Sequence, residues 1–360
     1  MTARVNLLDL APSDAQSAIT SFVDAAGLPR YRVGQVLRRL WTLPVPGFEA
    51  MTELPATLRA QMDAQFALPR LAIADEALAS DGTRKFLFRL ADGQSIETVA
   101  IPDGDSLTLC VSSQAGCALR CAFCATGAMG FARQLKPHEI AGQVRELGML
   151  DPPVRATNVV FMGMGEPMMN WPAVDTALTI LNRPEGFSIG ARHITVSTVG
   201  VLPGITALAR RPEQFRLAIS IHAPSDTLRR ELMPVNVKYP LADVVAAARD
   251  FARRVTFEYV MLDGVNDEPA HAEALAKLAR ECGAFVNLIP LHPGGSLGFA
   301  PSPRGRISAF SRILRARGVE TAIRKSRGLD IAAACGQLRV ENLRRGPKRG
   351  AENDGEIQIA

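Results

Sequence analysis

The chain has 360 residues, 47% of them hydrophobic, so it can bury a sizeable core and is not a disordered polymer. The opening MTARVNLLDL carries Asp9 and lacks the apolar run of a signal peptide, and no stretch approaches the roughly 18 apolar residues of a membrane span, so a cytoplasmic protein is expected. The net charge is +5, yet residues 301–360 hold 13 Lys+Arg against 6 Asp+Glu, and the rest of the chain is slightly acidic. That C-terminal excess is either a solvated tail, the simpler reading for Arg344 to Arg349, or a surface that attracts phosphate.

Residues 1 to about 70 read as helices; in YRVGQVLRRLW (31–41), Val33, Val36, Leu37 and Leu40 share one face. Two strand-like runs, RKFLFRL (84–90) and SIETVAIP (95–102), flank the turn Asp92-Gly93 and predict a hairpin. From residue 106 apolar, β-branched runs recur: LTLCVSS (107–113), NVVFMG (158–163), HITVST (193–198), FRLAISI (215–221), VTFEYVML (255–262) and VNLIPL (286–291). Helical stretches alternate with them, at 138–150, 242–254 and 268–282. This pattern predicts an α/β fold with a parallel sheet covered by helices, and six strands suit a partial (β/α)6 barrel. A seventh run, VETAIRK (319–325), can extend the sheet. The expected division is an N-terminal helical domain (1–75), a small β-hairpin extension (76–105), the barrel with a C-terminal loop (106–342) and a disordered tail (343–360).

Of six cysteines, Cys117, Cys121 and Cys124 form a C-x3-C-x2-C pattern in GCALRCAFCATG (116–127), directly after the first barrel strand. Three thiolates can hold three irons of a [4Fe–4S] cube and leave the fourth open to a chelating small molecule. Structural zinc needs four ligands, and the nearest histidine, His138, lies fourteen residues past Cys124 in a predicted helix. GMGEP (163–167) follows the second strand, where a Gly-Glu turn can bind an amino group. Ser197 ends the third strand, Ser220, Ile221 and His222 end the fourth, and Asn287 lies in the last. Singly, each is more simply a cap or a core hydrogen bond; jointly they fall on the C-terminal face where barrel active sites gather. Cys110, Cys282 and Cys335 are not needed for a cluster and read first as small buried hydrophobes.

The triplet spacing resembles that of the radical S-adenosylmethionine superfamily. More narrowly, TLCVSSQAGCALRCAFCATGAMGFAR, NVVFMGMGEPMMN, LAISIHAPSDTLRRELMPVN, VNLIPL and RKSRGLDIAAACGQL resemble the RlmN/Cfr family of RNA adenine methyltransferases, from LLDL (7–10) to Leu338. The resemblance implies two cofactors: a [4Fe–4S] cluster on Cys117, Cys121 and Cys124, and S-adenosylmethionine contacted by Gly165, Glu166, Ser197, Ser220, Ile221, His222 and Asn287. It implies that Cys335 carries a methyl group, that Cys110 is its resolving partner, and that Glu97 accepts a proton. Adenine C2 has no lone pair with which to attack a sulfonium methyl. The implied route therefore methylates Cys335 first and activates that methyl with a 5′-deoxyadenosyl radical. The activated carbon adds to the ring, and the adduct is released through a Cys110–Cys335 disulfide.

The implied substrate is C2 of an adenosine in 23S rRNA and in tRNA; C8 is the alternative within the family. A monomer served by an electron donor such as flavodoxin or ferredoxin is expected, with no membrane partner. A radical activase and a non-enzymatic zinc or electron-transfer module are the rival classes. After VNLIP this chain reads LHPGGSLGF, so His292 stands where the family has an asparagine. Arg30, Arg32, Arg38 and Arg39 are either a solvated helix face or an RNA-docking surface.

Overall fold

The structure, a computed structural model, describes residues 4–292, 298–333 and 336–338; Cys335 and the tail expected to be disordered (343–360) lie outside these residues. A short parallel pairing of β1 (Val5–Asn6) with β2 (Phe66–Ala67) brackets three helices, α1 (Pro12–Ala25), α2 (Tyr31–Leu40) and α3 (Ala56–Gln65). Val33, Val36, Leu37 and Leu40 are the buried face of α2, as their spacing requires. With Leu7, Trp41, Phe48 and Phe66 they build a core separate from that of the barrel.

The main sheet begins with three antiparallel strands, β3 (Ala72–Leu78), β4 (Arg84–Arg89) and β5 (Ser95–Asp103), and β5 pairs antiparallel with β6 (Ser106–Cys110). A loop follows that carries β7 (Gln114–Gly116), the short helix α4 (Ala125–Met129) and β8 (Phe131–Gln134). Alternation then runs α5 (Pro137–Gly148), β9 (Asn158–Phe161), α6 (Trp171–Asn182), β10 (Ile194–Thr198), α7 (Leu202–Ala209) and β11 (Arg216–Ser220). It continues through α8 (Asp226–Leu232), α9 (Leu241–Asp250), β12 (Val255–Met261), α10 (Pro269–Cys282), β13 (Phe285–Pro290), α11 (Arg304–Ala316) and β14 (Thr321–Ile323). The ten strands lie in the order β14-β13-β12-β11-β10-β9-β6-β5-β4-β3, and every pairing from β6 to β14 is parallel. The six expected barrel strands and the seventh run are therefore all present, and the sheet stays open.

The strands hold together because helices shield both their faces: in β12 every residue but Thr256 is buried. Proline at the start and glycine at the stop fix helix ends. Pro269 opens α10, and Gly283, at φ +65°, closes it.

The predicted hairpin is β4–β5, but it is not a separate extension. β3 flanks it on one side and β6 on the other, so it continues the barrel sheet. β3 escapes notice in the sequence because AIADEAL is a mostly exposed, charged edge strand with little alternation, and it crosses the division drawn at residue 75.

The N-terminal core also takes in Ala141 of α5 and Ile180 of α6, so the helical region packs on the outside of the barrel. α5 is consequently buried on every side from Glu139 to Leu147. Within it Arg145 donates from Nε to the Leu40 carbonyl at 2.9 Å. Among the N-terminal arginines, Arg30 pairs with Asp24 (2.9 Å), Arg39 with Glu53 (2.6 Å), and Arg32 donates to Gln35 (2.8 Å).

Candidate active site

The loops at the C-terminal ends of the parallel strands converge on one cavity. Cys117, Cys121 and Cys124 line it from the loop after β6, Gly165 and Glu166 from the loop after β9, and Ser197 from β10. Ser220 and His222 join from the end of β11. Two glycines let the loop after β9 come this close. A Cβ on Gly163 would meet the Val111 carbonyl carbon at 2.7 Å. Gly165 has φ +99°, and a Cβ there would meet Gln114 Cβ at 2.5 Å.

Glu166 is fully buried. Its carboxylate accepts the Met168 N–H (3.0 Å) and the Val199 N–H (2.9 Å), joining the loop after β9 to the loop after β10. Burial pushes its pKa up to about 7 against the pull of these hydrogen bonds. His222, at φ +55°, accepts the Val260 N–H on Nδ1 at 3.0 Å and meets the Phe123 ring edge-on at 4.8 Å. Burial pushes the imidazole down to about 3, so it is neutral, with its proton on Nε2.

Two expected contacts lie off the wall. Ile221 is completely buried behind it, its N–H donating to the Glu258 carbonyl at 3.0 Å. Asn287 reaches the cavity through Glu258, donating to its carboxylate at 2.9 Å, and Glu258 itself lines the cavity. Burial raises the Glu258 pKa, opposed by Arg324 and by the Asn287 hydrogen bond. Glu258 and Arg324 are wall residues that motif reading passed over; the available signal was a lone carboxylate in the apolar run VTFEYVML. Arg229 was missed as well. Fully buried, it donates to the Ile221 carbonyl (3.3 Å) and to Asn236 (2.6 Å), and also reaches the Val199 carbonyl, so it fixes the loops after β10 and β11 together.

A second cavity adjoins the first and is three times as roomy, about 480 Å³ against about 160 Å³. Cys110, His292 and Ala333 line it, and Met162, Arg324 and Leu338 are shared by both. The residues around Cys335 are anchored on either side of that position. Before it, the Gly328 N–H donates to Asp81 (3.0 Å) and Asp330 accepts the Ser80 N–H (2.9 Å), which docks the turn at 328–333 on the β3–β4 connection. After it, the Gly336 carbonyl accepts the Ala125 N–H (2.7 Å), the Leu338 carbonyl accepts Thr126 Oγ1 (2.7 Å), and Gln337 Nε2 lies 2.7 Å from His292 Nδ1.

Glu97 is buried inside the sheet rather than exposed. A strand glutamate is ordinarily solvated, but this one is 3% exposed and pairs with Lys85 at 3.1 Å.

The donor set suits an iron–sulfur cube. Three soft thiols face one cavity, where the His222 imidazole already spends Nδ1 on the Val260 N–H, and burial raises the Cys117 thiol to about 11 and the Cys121 thiol still further, so bare thiolates there require a compensating cationic centre. Among the described residues no three His, Cys, Asp or Glu side chains are grouped to hold a single metal ion, and His138 is bonded to Asp9 at 2.7 Å instead.

No helix among the described residues is long and apolar enough to cross a membrane. Residues 111–279 match the model of the Radical SAM superfamily. The chain is 65% identical, over its full length and that of its relative, to a probable dual-specificity RNA methyltransferase RlmN of Gemmatimonas aurantiaca. It is 44% identical to the dual-specificity RNA methyltransferase RlmN of Anaeromyxobacter dehalogenans, over 93% of each chain. The crystal structure of a radical SAM methyltransferase from Sphaerobacter thermophilus superposes with a TM-score of 0.87 at 46% identity, covering 93% of this chain and 99% of that one. These relatives set aside the Cfr-type alternative and the non-enzymatic readings. The chain belongs to the RlmN family of dual-specificity RNA methyltransferases, radical SAM enzymes that use a [4Fe–4S] cluster and S-adenosylmethionine.

Proposed function

We propose that this enzyme methylates C2 of an adenosine in 23S rRNA and in tRNA, with Cys335 as methyl carrier, Cys110 as resolving cysteine and Glu97 as proton acceptor. The observation that carries the reading is the pair of adjoining cavities. Three thiols face the first, Cys110 faces the second, and residues flanking Cys335 line both: Gly336 the first and Ala333 the second.

Cys117, Cys121 and Cys124 would hold the cluster, which when bound supplies the electron that splits S-adenosylmethionine. Gly165, Glu166, Ser197, Ser220 and His222 form the wall against which S-adenosylmethionine lies, and Ile221 and Asn287 act from behind it. The cavity without the thiol triplet is the roomier and takes the target adenine. There the carbon carried on Cys335 becomes bonded to the ring, and Glu97 takes the displaced ring proton. The Cys110 thiolate then attacks the Cys335 sulfur. The S–S bond forms, the sulfur–carbon bond breaks and the freed carbon takes up a proton to become the methyl group; the odd electron left on the adduct goes to a one-electron acceptor, a role the bound cluster would fill, and a two-electron reductant afterwards resets the disulfide. A cytoplasmic monomer served by flavodoxin or ferredoxin fits these requirements. The helical region of residues 1–75 acts as an RNA-docking unit, and residues 106–342 form the catalytic unit with its methyl-carrier loop.

The test is Cys110→Ala. It is expected to methylate Cys335, split S-adenosylmethionine and attack the base, yet retain the RNA covalently through Cys335, so nuclease-removable RNA migrates with the protein on a denaturing gel. Uncrosslinked protein with normal yields of methylated RNA would refute the two-cysteine mechanism.

A further inference from the structure

Strand register sets Lys85, Val99 and Cys110 side by side across β4, β5 and β6. Directly paired residues of an antiparallel sheet share a face, and Glu97 lies on that face two residues from Val99. Cys110 opens from it into the larger cavity. Lys85 Nζ is 3.1 Å from Glu97 Oε1, with the two side chains 10% and 4% exposed. The same ammonium is 3.4 Å from the carbonyl of Ala332, three residues before Cys335. The Glu97 main chain is held separately: Ser112 Oγ donates to its carbonyl at 2.6 Å, and its N–H points to Met164 Sδ at 3.3 Å.

We propose that Lys85 is a positioning residue for the methyl transfer, fixing the Glu97 carboxylate in its charged form beside the segment that delivers Cys335. The inference rests on the reading of Glu97 as acceptor of the ring proton. Burial disfavours a carboxylate, and an adjacent cation offsets that cost. Only the ionised form can take a proton, and a proton acceptor works when it is held in line with the proton it removes. A lysine carries three donors on one nitrogen, so one can face Glu97 while another faces the Ala332 carbonyl. The ammonium thereby ties the acceptor to the carrier segment.

The experiment compares Lys85→Met, Lys85→Arg, Glu97→Gln and the Lys85→Met/Glu97→Gln double variant in the full, cluster-loaded chain. The RNA carries either hydrogen or deuterium at adenine C2, and iron content and thermal melting report folding. Lys85→Met is expected to lower kcat at least about tenfold with KM for RNA unchanged. A deuterium effect on kcat should appear or grow, because ring-proton removal becomes limiting. Lys85→Arg should recover most of the rate, and the double variant should be no slower than Glu97→Gln. Wild-type kcat in Lys85→Met alongside a slow Glu97→Gln would overturn the inference and leave the Glu97 reading standing. A slow Lys85→Met with no deuterium effect, and further slowing in the double variant, would mark Lys85 as merely structural and overturn it too. Wild-type kcat in Glu97→Gln would remove the Glu97 reading and this inference with it. Should Lys85→Met fail to fold, Lys85→Gln carries the same comparison.

Discussion

Cys117 and Cys121 sit where a thiolate is hard to sustain without a partner, since burial first, then the neighbouring thiols and Glu166, raise both. Replacing one of three soft ligands by a methyl group therefore removes a bond that nothing nearby can supply. Cys117→Ala, Cys121→Ala and Cys124→Ala are each expected to lose iron and sulfide from anaerobically reconstituted protein. Cys282→Ala is expected to keep both, because that thiol points along its own helix, 3.4 Å from the Leu278 carbonyl. Metal and sulfide analysis of the four variants checks this; an unchanged iron content in any triplet variant would remove that residue from the ligand set. The triplet was legible because its chemistry is written in local spacing, all within eight residues. Glu258 and Arg229 were not, and Glu97 was named only through the family resemblance, because their burial depends on strands and loops far away in the chain. Glu97 becomes a buried ion-pair partner only once β4 lies beside β5, and Arg229 becomes a loop clamp only once the ends of β10 and β11 meet over it.

Among the elements, the antiparallel strands ahead of the barrel have a task their sequence does not announce. The β3–β4 connection receives the turn that leads into Cys335, through Asp81 to the Gly328 N–H and Asp330 to the Ser80 N–H. Gly328, at φ +60°, makes that approach possible; a Cβ there would meet the Thr83 side chain at 2.9 Å. Both carboxylates lie at the exposed surface, so loosening the turn lowers the docked population without unfolding the barrel. The Asp81→Ala/Asp330→Ala variant is accordingly expected to form 5′-deoxyadenosine at close to the normal rate while methylating RNA several-fold less. The ratio of the two products measures this coupling; an unchanged ratio would show that the turn needs no such anchor. The parallel strands, by contrast, were readable as apolar runs because helices bury both their faces. The docking of the N-terminal helices was not readable, since its apolar part uses Ala141 and Ile180, residues common on any barrel helix, and its polar part, such as Arg145 to the Leu40 carbonyl, joins positions far apart in the chain.

At the scale of the whole molecule, an open sheet places two cavities next to each other across shared walls, with thiols in both and a residue flanking position 335 in the wall of each, Gly336 in one and Ala333 in the other. In the mechanism proposed above, that layout would divide the reaction in space, with S-adenosylmethionine held on the side of the thiol triplet and the target adenine on the side of Cys110. The central claim is that the transferred carbon ends on adenine C2. The direct measurement is mass spectrometry of nucleosides from 23S rRNA and tRNA incubated with the reconstituted full-length protein, S-adenosylmethionine and a reductant. The account predicts 2-methyladenosine in both RNAs, absent from reactions with Cys335→Ala; methylation at C8 or at an exocyclic nitrogen, or 2-methyladenosine that survives loss of Cys335, would contradict it.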